Sequence, residues 1–544
     1  MSLRETNLRK LGEQAFDVLV LGGGINGAVS AAALSARGLK VGLIDRGDFA
    51  GVTSQASSNL AWGGIKYLET YEFGLVRKLC KVRNQLIRAY PSTVQEIRFY
   101  TAHERTFRHG LWKLVAGSWL YWLMGNFFTA RPRLLTRGDM EREEPLIDAT
   151  TCDGGFEYSD AYLHDNDARF VWQFIRGALD HGCAGANYVE SLGAAREGDL
   201  WQVRARDVIS GRALTIRARA LINACGPSAD EHNTRTGERT QHQHVLSKGI
   251  HILVRRLTPH RRVLTFFADD GRLFFVIPMG NRTCIGTTDT KVDSPEVSVT
   301  PEDRTFVLDN INKRLRLEQP LTEADIIAER CGVRPLVTAS GAQGAGGKDW
   351  MQLSRKHVIE VDAKTRHLTI FGGKLTDCLN VGEEVCDELA RLGLTAPFPE
   401  RVWYGEPAED QREAWFHQAR LMDLDGYTSP QASEKLSTRL WRRYGAEAFT
   451  LLESIREDPR NAQVLIETSE YLRCEIEQAA RREMVTRLDD FLRRRSKIAL
   501  VVKREELKLA PGLREACKVF FGGRAEEEWQ RYFAQTRPAP DTGG

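Results

Sequence analysis

One turn constrains this chain more than any other feature. Phe16-Asp17-Val18-Leu19-Val20-Leu21 is an apolar run of strand length, and Gly22-Gly23-Gly24-Ile25-Asn26-Gly27 comes directly after it. A helical pattern begins with Ala28–Arg37. Gly22, Gly24 and Gly27 stand at G-x-G-x-x-G spacing between strand and helix. The first glycine permits the tight turn, the second lets backbone approach a pyrophosphate, and the third lets helix and strand pack closely. Phosphates would then face the positive end of a helix. The next apolar run, Val41–Ile44, ends in Asp45, where a carboxylate can accept from a ribose 2′-hydroxyl. A glycine turn without a ligand would not require that acid. The pattern predicts a Rossmann-like α/β dinucleotide domain built around Gly22, Gly24, Gly27 and Asp45.

Length and composition bound the rest. The 544 residues suffice for two to four domains. With 42% hydrophobic residues and a net charge of +3, global disorder is excluded. The 10 cysteines form no Cys-x-x-Cys pair, which argues against a zinc ribbon or dithiol motif and fits a reducing compartment. His242 and His244 have a His-x-His spacing without an evident third ligand, so no metal is expected. The first residues are polar and carry no apolar segment of the signal-peptide kind.

Further strand-like runs are Ala220–Ala224, Phe274–Ile277, Thr283–Ile285 and Leu368–Phe371. Pro397, Pro399, Gly405 and Pro407 cluster after them. The expected organisation is a nucleotide-binding domain with an interleaved substrate domain over 1–395, a linker over 396–410, a helical domain over 411–525, and a loose tail over 526–544.

The residues just after the second strand favour FAD over NAD. Thr53, Ser54, Ser57 and Ser58 form a hydroxyl-rich stretch able to wrap phosphate and flavin polar atoms. Gly286-Thr287-Thr288-Asp289 and Gly372-Gly373-Lys374-Leu375-Thr376 each come after a strand, where glycine allows close approach to a flat ring or a phosphate. Singly these are ordinary turns; together on one Rossmann scaffold they point to a flavin.

Ordered blocks carry a wider resemblance. They are Thr53–Tyr67, Gly155-Phe156-Glu157-Tyr158-Ser159-Asp160, Asn223–Pro227, Ile285–Thr290, Gly332-Val333-Arg334-Pro335-Leu336, Phe371–Thr376 and Leu488–Arg495. From about Phe16 to about Leu509 the chain resembles the FAD-dependent glycerol-3-phosphate dehydrogenases, in the D-amino-acid-oxidase-like flavoprotein group. The resemblance implies a Rossmann-like FAD domain, an interleaved antiparallel-sheet substrate domain and a C-terminal helical domain. It implies oxidation of sn-glycerol 3-phosphate to dihydroxyacetone phosphate, with hydride passing to flavin and electrons to a quinone or, in oxidase members, oxygen.

The resemblance also assigns residues. Arg334 matches a substrate arginine, Lys374 a lysine near flavin and substrate, and His251 a histidine considered for proton transfer. Lys66, Tyr67 and Arg355 fall at substrate-side positions. Ala224, Gly226, Asp289, Gly373, Leu375 and Thr376 join the flavin contacts. Two departures stand out: Trp62 replaces a histidine, and Lys66 replaces an arginine, keeping charge but losing the bidentate fork. Ser228 stands where a tryptophan commonly succeeds Gly-Pro. Another anionic alcohol or amine, such as a hydroxy acid or amino acid, stays open as an alternative substrate.

One segment suits a surface. Leu114–Ala130 has no charged residue and is rich in aromatics, which fits a buried or interfacial helix better than a bilayer span. Residues 76–137 hold twelve Lys/Arg and two Asp/Glu, a local net of +10. Basic and aromatic residues together suit an anionic membrane surface; a solvated basic face over buried helices would look the same. Nucleic acid is not expected. The expected location is cytoplasmic or peripheral on the cytoplasmic face of the membrane, and oligomeric state is left open, a homodimer included.

Overall fold

The computed structural model describes residues 2–340, 356–430, 432–467 and 469–534. The apolar runs seed two sheets. The first runs in the order 358–362, 367–371, 213–223, 15–21, 41–44 and 184–186, and its four inner strands are parallel. Parallel strands with both faces covered must be apolar on both sides, and Val18, Leu19, Val20 and Leu21 are all buried. The helix Ile25–Ala36 packs between helices Asp167–Asp180 and Cys378–Arg391. Its alanines at 28, 31, 32 and 33 let those backbones come close.

The run read as Ala220–Ala224 is the buried end of a longer strand, Ala213–Asn223. The polar start of that strand pairs antiparallel with Leu200–Asp207 at the surface, which is why periodicity hid it.

The second sheet has ten strands, antiparallel throughout except where Arg262–Phe267 runs parallel to Val94–Glu104. Its longest pairing joins His242–Arg255 to Ala328–Ala339 over twelve residue pairs. Alternation gives this pair two faces. Ile250, Ile252 and Val254 point into a core beneath helix Pro301–Arg314. Ser247, Gly249 and His251, opposite Arg334, Gly332 and Arg330, form the other face, under residues 53–59. The chain crosses repeatedly between the two sheets. The fold is α/β with an interleaved, largely antiparallel second sheet and a helical C-terminal region.

Residues 409–534 are helical around two further cores. They dock through buried charge. Asp48 accepts from Arg494 at 2.6 Å and Arg495 at 2.8 Å, Arg169 meets Glu483 at 2.7 Å, and Asp165 meets Arg442 at 2.8 Å and Arg443 at 3.0 Å.

One expectation about organisation changes. Residues 526–534, placed in a loose tail, belong to the helix Ala525–Ala534, whose Glu528 is buried and pairs with Arg487 at 2.5 Å. The acidic first turn and the apolar spacing of Trp529, Tyr532 and Phe533 explain it; residues 535–544 lie outside the described residues. The 396–410 stretch is packed down: Trp403 enters the first core and donates to Glu383, and Ser92 donates to Glu406.

Candidate active site

The nucleotide half forms where the strands Ala15–Leu21 and Ala213–Asn223 end side by side. Gly22 adopts φ +94°, and a β-carbon there would stand 2.5 Å from the Ala224 carbonyl oxygen. At Gly27 a β-carbon would meet the Gly22 carbonyl oxygen at 1.8 Å. These two glycines serve the turn and the helix–strand contact. Gly24 differs: a β-carbon there would meet only Ser54 Oγ, at 3.3 Å. Open space in front of Gly24 and the first turn of the helix is the room a pyrophosphate needs.

Asp45 accepts from Gly23 N at 2.6 Å and Gly47 N at 2.8 Å, and burial raises its carboxyl pKa. Each oxygen keeps a lone pair for a ribose hydroxyl. With Gly22, Cys225, Pro227, Ser228 and Arg46, Asp45 lines an open cleft. Gly226, at φ +55°, has open space beside it. The backbone donors, the acid and the room fit the adenosine diphosphate half of FAD.

The hydroxyl-rich stretch is fixed by its own hydrogen bonds. Ser54 Oγ accepts from Ile25 N at 3.0 Å, Thr53 donates to the Val333 carbonyl at 2.7 Å, and Ser57 donates to Asp167 at 2.9 Å. Three of the four hydroxyls fix the loop itself. Ser58 is half-buried. Asp289 likewise accepts from Ser247 and meets Arg334 at 3.3 Å, so it anchors the arginine.

The candidate substrate residues Arg334 and His251 lie on one face of the second sheet. The Arg334 guanidinium donates to Thr287 Oγ1 at 2.7 Å and to the Thr288 carbonyl at 3.2 Å. It leans along the strand onto Gly249, where a β-carbon would stand 2.1 Å from Nη2. His251 is two residues further along the same face, about 7 Å at strand rise. His251 is only 2% exposed, and neither ring nitrogen has a hydrogen-bond partner among the described residues. Burial, then Arg330 and Arg334, hold its pKa well below the ordinary histidine value, so the ring is neutral.

The turn at 372–376 follows the strand His367–Phe371. Gly372 and Gly373 take φ +63° and +103°. Asn26 donates to the Gly372 carbonyl at 2.9 Å, Gly372 N donates to His244 Nε2 at 3.0 Å, and Thr376 donates to the Trp62 carbonyl at 3.1 Å. Leu375 packs against the first core. Lys374 Nζ lies 3.9 Å from the centre of the Tyr67 ring. Trp62 donates to Tyr158 at 3.2 Å and packs edge-on to Phe275. Lys66 is exposed on the turn that carries Tyr67. Arg355 lies outside the described residues.

Arg330 gave no signal in the sequence taken by itself. It is buried opposite His251 and donates at 2.6 Å to both the Ser57 carbonyl and Asn59 Oδ1, tying the 53–59 loop to the sheet. Its four-residue spacing from Arg334 in a strand would have placed both on one face.

The basic stretch also reads differently in three dimensions. Arg83 is buried beside Asp160, and Lys78, Arg98, Arg105, Arg108, Arg133 and Arg137 each meet a carboxylate outside 76–137. Among the described residues Arg77, Lys81, Arg88, Lys113 and Arg131 have no carboxylate partner. The helix Leu111–Met124 buries Val115, Ser118, Tyr121 and Met124 and exposes Trp112, Trp119, Leu120 and Leu123. No described helix is long and apolar enough to cross a membrane.

The family profile "FAD dependent oxidoreductase" matches residues 17–361, and "C-terminal domain of alpha-glycerophosphate oxidase" matches 337–522. The glycerol-3-phosphate dehydrogenase of Pseudomonas aeruginosa is 31% identical over 509 residues, covering 90% of this chain and 92% of that protein. Glycerol-3-phosphate dehydrogenase 2 of Mycobacterium tuberculosis is 30% identical over 509 residues, covering 90% and 82%. In fold, the chain resembles the glycerol-3-phosphate dehydrogenase of Bacillus halodurans complexed with FAD, at TM-score 0.70 and 24% identity, over 98% and 96% of the two chains.

Proposed function

The chain belongs to the FAD dependent oxidoreductase family, among the glycerol-3-phosphate dehydrogenases, with FAD as its cofactor, and from that premise we propose that it oxidises sn-glycerol 3-phosphate at C2 to dihydroxyacetone phosphate. One observation carries this reading: a guanidinium and a neutral imidazole with bare nitrogens share one sheet face, separated only by Gly249. That separation suits a phosphate on one side and a C2 hydroxyl on the other of a three-carbon ester.

The residues divide the work. Arg334 and Lys374 hold the phosphate, the guanidinium by its fork and the ammonium as a point charge. Asp289 and Thr287 fix the direction of the guanidinium. His251, kept neutral, accepts the C2 hydroxyl proton at a ring nitrogen. The backbone at 22–27 and Asp45 hold the adenosine diphosphate end of the cofactor, and the Thr53–Ser58 loop and the 372–376 turn flank its ring. FAD, when bound, supplies the acceptor for the hydride from C2. Trp62 and Phe275 keep water from the reacting carbon.

Electrons then leave to a quinone at a membrane. The exposed Trp119, Leu123 and Phe127, with Arg77, Lys81 and Arg131 in the same segment, support docking on an anionic surface at the cytoplasmic face.

Turnover with an electron-accepting dye tests the substrate reading. Glycerol 3-phosphate should be turned over with far greater efficiency than glycerol, glycine, proline or lactate. Preference for an amino or hydroxy acid would replace the phosphate with a carboxylate on Arg334.

A further inference from the structure

His357 lies outside the machinery described so far, yet it is buried directly behind the 372–376 turn. Its Nδ1 stands 2.6 Å from Asp377 Oδ2 and its Nε2 stands 2.7 Å from Glu384 Oε2. An ionised carboxylate only accepts, so both ring nitrogens must carry hydrogen and the ring is an imidazolium. Each carboxylate is held elsewhere too. Asn380 donates to Asp377 Oδ1 at 2.5 Å, and Lys78 donates to Glu384 Oε1 at 2.6 Å.

These contacts converge on Lys374 from two sides. Asp377 N donates to the Lys374 carbonyl at 2.9 Å, so fixing the Asp377 carboxylate fixes the turn that aims the ammonium. Lys78 belongs to the helix Phe73–Ala89, next in the chain after the turn carrying Tyr67, the ring beneath that ammonium. We propose that His357 is a positioning residue for substrate binding: as an imidazolium between Asp377 and Glu384 it clamps the 372–376 turn to the Tyr67 side and holds Lys374 toward the substrate phosphate. The substrate part of this rests on the glycerol 3-phosphate reading; the clamp itself does not.

The charge is stable at neutral pH. Burial alone would lower the pKa of the ring; the hydrogen bonds to Asp377 and Glu384 outweigh it and raise it to about 9. The groups facing it among the described residues are Asp377, Glu384 and, through Glu384, Lys78. The neighbouring Cys378 thiol is pushed far above its usual value by burial and takes no part. A raised histidine pKa contributes stability that is fully present below about 6.5 and is lost as pH rises through about 9.

The test uses full-length holoenzyme, wild type against His357→Gln, from pH 7 to 10. At pH 7.5 the variant should bind FAD with an unchanged visible spectrum, show a KM for glycerol 3-phosphate raised about tenfold, and melt at a lower temperature. As pH approaches 10 the wild-type KM should climb to the variant's value and the two melting curves should converge. Equal KM at pH 7.5, or melting curves that stay parallel to pH 10, would overturn the clamp. Convergent melting in an enzyme inert to glycerol 3-phosphate would support the clamp and overturn the substrate reading instead. If His357→Gln does not fold, Glu384→Gln serves: loss of one carboxylate should move the alkaline rise in KM to lower pH, and an unmoved rise overturns the proposal.

Discussion

The guanidinium of Arg334 lies across the α-carbon of Gly249, so close that a β-carbon would stand 2.1 Å from Nη2. The glycine is the floor on which the guanidinium rests. Gly249→Ala should therefore resemble Arg334→Ala: FAD retained, and kcat/KM for glycerol 3-phosphate down by about 3 kcal/mol, roughly a hundredfold. Steady-state kinetics with flavin content measured alongside decides. An active Gly249→Ala would show that the arginine need not lie there.

Two of the motif glycines, Gly24 and Gly27, should fail differently. Gly24→Ala adds a β-carbon that meets only Ser54 Oγ at 3.3 Å, so the protein should fold and melt near the wild type, yet lose much of its FAD. Gly27→Ala drives a β-carbon to 1.8 Å from the Gly22 carbonyl oxygen, so it should destabilise the chain with or without cofactor. Absorbance of the purified variants and their apo-protein melting temperatures separate the cases.

Acid should weaken the fold through its buried neutral histidines. Burial lowers His232 and His367 to about 4, and His251 lies well below its ordinary value. Between pH 6.5 and 4 the unfolded chain binds protons at these rings and the native chain does not, so stability falls as pH falls, by on the order of 3 kcal/mol for each of the first two. Urea melts at pH 7.5 and 5.5 should show it, and His367→Gln should reduce the difference. The neutral His251 should also give kcat/KM no acid limb near pH 6.5.

Membrane docking should depend on few residues. Trp119, Leu123 and Phe127 are exposed, and five cations between 77 and 131 lack a carboxylate partner among the described residues. Flotation with anionic vesicles should carry the wild type at low salt and lose it at high salt, or when Trp119 and Phe127 become Ser. Equal behaviour with neutral and anionic vesicles would remove the electrostatic part.

Local backbone demands were legible in the sequence, and long-range contacts were not. Gly22 and Gly27 advertise a turn and a close helix crossing by their spacing, and Gly372-Gly373 advertise positive φ by their place at a strand's end. Arg334, Lys374 and His251 came from the resemblance, because nothing in a polar residue's neighbours says which distant strand it will face. Asn26, His244, Arg330 and His357 escaped for that reason: each holds a partner more than 15 residues away in sequence. The strand His242–Arg255 escaped because His242, His244 and Lys248 stand on the same face as Ile250, Ile252 and Val254, which breaks the apolar alternation. Charge counting misled too, since Glu69, Glu143, Asp153, Glu157 and Glu384 neutralise arginines and a lysine of 76–137 from outside that stretch.

The central claim is that the anion site at Arg334 and the proton acceptor His251 serve oxidation of a phosphorylated alcohol by the bound flavin. Anaerobic mixing of the yellow holoenzyme with glycerol 3-phosphate tests it most directly. The account predicts rapid loss of flavin absorbance with glycerol 3-phosphate, little with glycerol, and a loss slowed at least tenfold in Arg334→Ala and His251→Ala. Flavin left oxidised by glycerol 3-phosphate but bleached by an amino acid or hydroxy acid would contradict it.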